Sequence, residues 1–577
     1  MKTGYIAGIT RGHNAGVCLL KDGEIVFSIE EERLSRQKYD GGPFASIYKI
    51  LDYTDKIDFV AVAHTQPESR GNDFTGEEIY YALFRKLKLI DSYEQYRDLH
   101  TQHHMLHAAC AFYNSGFDEA VAIIIDGAGT FVQSNFTGEE NTIWEVESIF
   151  ECSYPSEFKP KWKHFGGRGP YLSLINYDEE TDFETIVDDT GGIVKAYEAV
   201  THYCGFNFIE AGKTMGLFPY GKDNDKIPDV YTNFNNLSSW STSNRELIIP
   251  NYPNGAFVNF QRFSELNVNE DEEDLTRCQN RRDLAYKLQI QSQEECLKII
   301  KKGIEKTGIK NVVFSGGYGL NCVANYHYLN HLKGVNYYVE PISNDAGTAM
   351  GAAKYLYHLE NKSFKKSTLK SLYHGPKYDY SNIDIKNKSE KNFELHECDV
   401  NDIIDLIESE IIVSIFQGRS ENGPRALGNR SILFDPRVKN GKDIVNKIKR
   451  REYFRPFAAS VLIEYVHDWF DLRGMKESPY MMYAVDCLED KKKMIPSVIH
   501  VDGTCRIQTV SVFQNKNYHD LIKCFYERTG VPLLFNTSFN LAGEPLVETI
   551  DDALMTLKNS DLKYLYLPEN KILLRKK

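Results

Sequence analysis

His103 and His107 stand four residues apart in His103-His104-Met105-Leu106-His107. On a helix that spacing puts two imidazoles on one face, where they can share a metal ion. Further on, an apolar run at 121–125 ends in Asp126-Gly127-Ala128-Gly129-Thr130. A carboxylate leaving a strand would supply a third ligand. Asn344-Asp345-Ala346-Gly347-Thr348 repeats the pattern of a carboxylate followed by small residues and offers a fourth. Two His and two Asp make a mixed nitrogen and oxygen site that suits iron, zinc or manganese. The competing reading is a chance histidine pair on a helix face. Metalloprotease chemistry is disfavoured, because His104 stands where the H-E-x-x-H motif needs glutamate.

Strands and helices must position these groups. Residues 5–9, 16–20 and 25–29 form three short apolar runs, and Lys21-Asp22-Gly23 reads as the hairpin turn between the last two. The order recurs in a strand at 121–126, a loop, a turn containing Gly138 and a strand around 144–149. Two such units suggest a duplicated, two-lobed α/β domain with a nucleotide in its cleft. Residues 281–305 read as a helix with apolar positions at Leu284, Leu288, Leu297, Ile300 and Ile304. The strand Val312-Val313-Phe314 then leads into Ser315-Gly316-Gly317-Tyr318-Gly319-Leu320-Asn321. Glycines directly after a strand let backbone N–H groups approach a phosphate, so Gly316, Gly317 and Asn321 are nucleotide-binding candidates. Gly212-Lys213-Thr214 imitates the end of a P-loop, but Asn207 occupies the position of the required earlier glycine. Lys213 stays a candidate for lining a nucleotide cleft by another geometry. Residues 222–277 are polar and acidic, including a run at 269–274, and read as an insertion or solvated surface.

The 577 residues are too many for one ordinary core. A turn to Lys, Ser and Asn between about 359 and 395 marks a boundary, giving domains at 1–365 and 366–577. The net charge of -13 disfavours general attraction to nucleic acid or anionic membrane. Eleven cysteines without a C-x-x-C pair argue against a full disulfide framework. The opening Met1-Lys2-Thr3-Gly4-Tyr5 runs straight into a strand pattern, and no apolar run reaches the ~18 residues of a membrane span. A soluble, cytoplasmic protein without a membrane partner is expected.

The second half gathers cations and small polar residues at 418–431, 449–457, 500–506 and 535–540. The guanidinium fork of arginine holds phosphate oxygens in pairs, and lysine adds a point charge. Each cluster alone reads equally as a solvated turn or as arginines paired with structural carboxylates. Four in one domain of an acidic protein point to a phosphorylated substrate together with a nucleotide.

These residues together resemble the NodU/CmcH/TobZ-type O-carbamoyltransferases over nearly the whole chain. The carrying motifs are Gly12-His13-Asn14-Ala15, HHMLHAA at 103–109, DGAGT at 126–130, GKTMGL at 212–217, SGGYGLN at 315–321 and NDAGTAMG at 344–351. They continue with GPRALGNRSIL at 423–433, FRPFAASV at 454–461, HVDGTCR at 500–506 and FNTSFN at 535–540. Asn14, Gly16 and Tyr318-Gly319 depart from the commoner family residues, which bears on substrate fit rather than reaction class.

The resemblance implies an actin-like/sugar-kinase (RNase H-like) N-terminal domain and a YrdC-like α/β C-terminal domain. In such enzymes carbamoyl phosphate and ATP, with Mg, give carbamoyl adenylate in the second domain. An acceptor hydroxyl then takes the carbamoyl group at the metal site of the first, and AMP leaves. Carried over, His103, His107, Asp126 and Asp345 become the metal ligands, with iron(II) preferred over zinc or manganese. Lys449, Arg455 and Arg506 become the carbamoyl phosphate clamp, Arg425 and Ser538 join them around phosphate and nucleotide, and His13 becomes the candidate general base. The expected acceptor is a hydroxyl-bearing small molecule or natural product, with residues 64–80, 155–190 and 222–277 candidates for shaping its pocket. A hydroxymethylated nucleotide or nucleic acid, in a viral setting, is the first alternative acceptor. A non-catalytic actin-like nucleotide-binding protein is the alternative from another class, and a sugar kinase would leave residues 370–577 unexplained. The oligomeric state stays open, a homodimer included.

Overall fold

Asp22 and Gly23 both adopt positive φ, 53° and 83°, the backbone of a type I′ turn whose twist matches the strands it joins. The turn links β2 (Gly16–Lys21) to β3 (Glu24–Glu30), so the expected meander forms. β1 (Tyr5–Thr10) pairs antiparallel with β2 and parallel with β4 (Phe59–Ala63), and β4 pairs parallel with β5 (Tyr96–Asp98). The sheet order is β3-β2-β1-β4-β5. This computed structural model describes residues 4–67, 77–134, 141–167, 174–189, 191–232, 243–250, 256–264 and 274–577.

A second sheet repeats the plan. Its central strand Glu119–Ile125 pairs antiparallel with Asn141–Ser153 and parallel with Asn311–Ser315, which pairs parallel with Asn336–Val339. Glu157–Gly167 lies on the other side of Asn141–Ser153, which completes the same five-strand order as the first sheet. Phe183–Asp188 and Leu174–Asp178 extend the edge beyond Glu157–Gly167. The anticipated turn at Gly138 lies outside the described residues.

Two helices bring the site together. His103–Ser115 is buried along nearly its whole length, and Ala346–Asn361 packs between it and β1. A Cβ on Gly351 would come within 2.0 Å of the Leu106 carbonyl oxygen, so only glycine permits the contact that sets Asp345 beside the histidines. The helix expected at 281–305 spans Gln279–Thr307.

Of the two expectations for 222–277, an insertion or a solvated surface, the second does not hold for the strands at 248–250 and 256–258. Ile248–Pro250 and Ala256–Val258 pair as a small hairpin, with Ile248, Ala256 and Val258 buried. The acidic residues 269–273 and parts of the loops at 64–80 and 155–190 lie outside the described residues.

The chain divides into two units, and the boundary differs from the expected 1–365 and 366–577. The first comprises Met1–Val26 and Gly41–Leu369, the second Phe27–Asp40 and Lys370–Lys577. The early segment is tied into the second unit by buried polar contacts. Arg33 donates to the Gly423 carbonyl at 2.7 Å, Arg36 to that of Leu546 at 2.6 Å, and the Ser28 N–H to that of His374 at 2.8 Å. A ten-stranded mixed sheet forms the second unit, with Val413–Phe416, Arg430–Phe434, Leu533–Ser538, Ala458–Leu462 and Thr504–Val510 adjacent in that order. None of the eleven cysteines, all of them among the described residues, forms a disulfide. Among the described residues no helix is long and apolar enough to cross a membrane.

Candidate functional site

The first unit brings together His103, His107, Asp126 and Asp345. The His103 Nε2 lies 3.2 Å from the His107 Nε2, 3.5 Å from Asp126 Oδ2 and 3.7 Å from Asp345 Oδ1. The His107 Nε2 lies 3.9 Å and 3.6 Å from the same two oxygens. A regular tetrahedron with edges of that size has its centre about 2.2 Å from every vertex, the length of a metal–ligand bond. The residues therefore fit a divalent cation. Burial disfavours charge on His103, yet hydrogen bonds to Asp126 and Asp345 override it and hold the imidazolium up to about 10. Burial likewise opposes ionisation of Asp345, and its contacts with His103 and His107 override that and hold the carboxyl well below its usual range.

Several residues that sequence reasoning did not single out hold this centre. The Thr130 hydroxyl accepts from the His103 backbone N–H at 3.1 Å, which satisfies an amide at the start of the ligand helix. Thr130 N–H in turn donates to Glu145 Oε2 at 3.0 Å. Glu145 is buried, which raises its pKa, but Lys163 and His104 outweigh burial and bring it down to about 2. The Gly317 N–H donates to Asp126 Oδ1 at 2.9 Å, so this amide of the glycine loop orients a ligand carboxylate. Thr130 was in view as the last residue of DGAGT, whereas nothing local marked Glu145 or Lys163.

His13 is half exposed, with Nδ1 3.9 Å from Asp345 Oδ2. His64, which the sequence reading passed over, accepts the Gln66 N–H on Nδ1 at 3.1 Å. Burial and the nearby Arg11 charge lower its pKa to about 4, so it is neutral. The remaining first-unit candidates have defined partners. Gly316, at φ 88°, makes the tight turn against the Ile125 backbone. Asn321 exchanges hydrogen bonds with Gln289 at 3.0 and 3.2 Å and accepts from the Ala324 N–H. Lys213 stands on the helix Ala211–Leu217, 2.8 Å from Glu210.

The second unit concentrates cations. Lys449, at the end of Gly441–Lys449, is buried and donates to Asn540 Oδ1 at 3.0 Å, to the Asn540 carbonyl at 2.9 Å and to Ser538 Oγ at 3.2 Å. Burial, then the charges of Arg451 and Arg455, push its ammonium well below its usual pKa. Arg451 feels burial first and then Arg455, Arg506 and Arg425. Arg451 is thus the hub of the group, and sequence reasoning placed it inside a cluster without naming it. Arg455 Nη1 lies 3.5 Å from Glu452 Oε2. The Arg506 Nε is buried without a hydrogen-bond partner. Cations gathered around one buried ammonium oppose one another's charge, and only Lys449 among them is fully buried.

Two family models match the chain, Carbamoyltransferase N-terminus over residues 70–354 and Carbamoyltransferase C-terminus over residues 404–576. An uncharacterized protein of Synechocystis sp. is 30% identical, covering 99% of this chain and 96% of its own length. Nodulation protein NolNO of Sinorhizobium fredii is 30% identical over 95% of this chain and 77% of its own. Nodulation protein U of Rhizobium tropici is 25% identical over 93% and 91%. Full-length HypF in its phosphate- and nucleotide-bound form aligns at TM-score 0.36 and 15% identity, over 62% of this chain and 56% of its own, a likeness too slight to argue from. Motif order, matched models and full-length relatives agree, and the chain belongs to the NodU-type carbamoyltransferase family as a carbamoyltransferase enzyme.

Proposed function

We propose that this enzyme activates carbamoyl phosphate with ATP in its second unit and transfers the carbamoyl group to an acceptor hydroxyl in its first. Carbamoyl phosphate, ATP and water give carbamoyl adenylate, phosphate and pyrophosphate. The acceptor oxygen then bonds to the carbamoyl carbon, AMP leaves, and the hydroxyl proton passes to a base. The observation that carries this reading is the clustering of the buried Lys449 with the half-buried Arg451, Arg455, Arg506 and Arg425, cations whose charges oppose one another and which a bound anion would stabilise.

In this reading Lys449, Arg455 and Arg506 grip carbamoyl phosphate, while Arg425 and Ser538 orient phosphate and nucleotide. Bidentate guanidinium contacts suit the phosphate oxygens, and the Lys449 charge offsets the negative charge that gathers as phosphate departs. The repeated strand order supports an actin-like N-terminal domain, and the mixed sheet with its cation cluster is read as YrdC-like. His103, His107, Asp126 and Asp345 would hold iron(II), with zinc or manganese as substitutes. When bound, such an ion supplies Lewis-acid polarisation of the carbonyl or phosphate. His13, beside Asp345 and open to solvent, takes the acceptor proton, a role worth roughly 10²- to 10⁴-fold in rate. Lys213, Gly316, Gly317 and Asn321 are proposed to border the nucleotide cleft. The acceptor is a hydroxyl-bearing small molecule.

Purified protein with Mg, ATP and carbamoyl phosphate, and no acceptor, tests the first half. Pyrophosphate release and carbamoyl adenylate in the mass spectrum, each dependent on both substrates, are expected. Absence of both products from folded, metal-loaded protein would overturn the reading.

A further inference from the structure

Apart from the centre described above, one group of side chains among the described residues converges three ligand atoms. Glu294, on the helix Gln279–Thr307, faces His327 and His331, on the helix Cys322–His331, and their ligand atoms lie within 4.8 Å of one another. We propose that Glu294, His327 and His331 form a second divalent-metal site, suited to Zn²⁺, that clamps these two helices together.

Spacing and chemistry carry the assignment. His327 and His331 are four residues apart, so their rings share one face, with centroids 4.5 Å apart. The Glu294 Oε1 lies 2.7 Å from the His327 Nε2. A carboxylate this close to a ring nitrogen is a pair that an ion can bridge in place of the shared proton. Ligand atoms of a tetrahedral zinc site lie about 3.3 Å apart when the bonds are about 2.0 Å. Small rotations of side chains that are 22% and 30% exposed reach that separation. Two imidazoles and one carboxylate leave a fourth position for water, and the exposed His331 gives the ion a way in.

The location gives the site a consequence. The two helices already meet through Gln289 and Asn321, which exchange two hydrogen bonds at the start of the second helix. The Ser292 and Tyr318 hydroxyls add another at 2.8 Å. Tyr318 and Asn321 belong to the loop whose Gly317 N–H orients Asp126. A metal bridging Glu294 to His327 and His331 stiffens the same helix pair from further along, and so steadies the loop behind the first centre.

The test counts zinc. Tag-free protein is stripped with chelator, incubated with Zn²⁺, desalted and measured by inductively coupled plasma mass spectrometry. His331→Ala, at an exposed position, and Glu294→Gln, of equal volume, each should retain one equivalent less than wild type. In a His107→Ala background, where the first centre is broken, His331→Ala should remove the remaining equivalent. If the zinc count in that background is already zero, or if His331→Ala and Glu294→Gln both retain as much zinc as their parents, the three residues are an ordinary ion-paired cluster and the proposal fails.

Discussion

The Nε2 atoms of His103 and His107 stand 3.2 Å apart, with Asp126 and Asp345 oxygens 3.5–3.9 Å from them. Two ring nitrogens that close need a positive centre between them, either a proton or a cation. The carboxylates on the other edges favour the cation, because they supply two more ligand atoms at the same spacing. Loss of one ligand should lower iron(II) retention by at least the roughly 10- to 100-fold that follows loss of an outer-shell partner alone. Anaerobic gel filtration followed by a colorimetric iron assay compares wild type with His107→Ala and Asp345→Asn. Equal iron in all three would dismiss the centre as a metal site.

The two half-reactions should separate by mutation. Lys449→Ala and Arg506→Ala remove cations from the group in the second unit, and both are expected to abolish formation of carbamoyl adenylate. His107→Ala alters only the first unit and should leave acceptor-free pyrophosphate release close to wild type while preventing transfer. Parallel assays of the two steps decide. A His107→Ala protein that loses both equally would contradict the division of labour.

Arg451 carries a prediction of opposite signs. Burial and the charges of Arg455, Arg506 and Arg425 all act against its own charge, and its guanidinium lies 5.4 Å over the Phe457 ring. Replacing it with an apolar side chain of similar length relieves repulsion in the free protein. Exchanging buried charge for packed apolar volume stabilises by about 1–4 kcal/mol in favourable cases. Arg451→Met should therefore melt higher than wild type without ligand, yet gain less from added carbamoyl phosphate. Calorimetric scans with and without that ligand give both numbers, and a variant that melts lower without ligand while keeping the full ligand shift would refute the role.

Local pattern made part of this molecule legible. The Asp22-Gly23 hairpin, the helix with His103 and His107, and the strand ahead of Gly316 all follow from short-range periodicity and turn chemistry, and each lies where the residues indicated. The crossing of Phe27–Asp40 into the second unit was not legible, because Glu30-Glu31-Glu32-Arg33 looks like a solvated helix start. Its buried state depends on carbonyls such as that of Gly423, 390 residues away. Glu145 and Lys163 were invisible for the same reason, since only the pairing of two neighbouring strands sets them together. Spacing along the chain finds ligands on one element, whereas partners drawn from several elements emerge only when the sheet is assembled.

The last of these hidden groups predicts a pH response. His164 is wholly buried between Glu147 and Asp188, with Nε2 3.1 Å from Asp188 Oδ2 and Nδ1 bonded to Glu147. Glu147 also accepts the Ile193 N–H at 2.8 Å, which fixes the start of the helix Gly192–Tyr203. Burial alone would lower the His164 pKa, but Asp188 and Glu147 outweigh it and raise it from 6.5 to about 10. A pKa raised on folding stabilises the protein fully below the unfolded value and ceases to do so as pH climbs through the folded one. The stabilising effect of His164 should thus be complete about a unit below pH 6.5 and fade from there toward pH 10, at ~1.4 kcal/mol per pKa unit as an upper limit. His164→Gln leaves two buried carboxylates without their cation, a loss of about 3–5 kcal/mol near neutrality. Denaturant unfolding of wild type and variant in parallel cancels the titration of other groups. The gap between them should narrow steadily from pH 6.5 toward pH 10, and a gap that stays constant across that window would show that His164 is neutral in the fold.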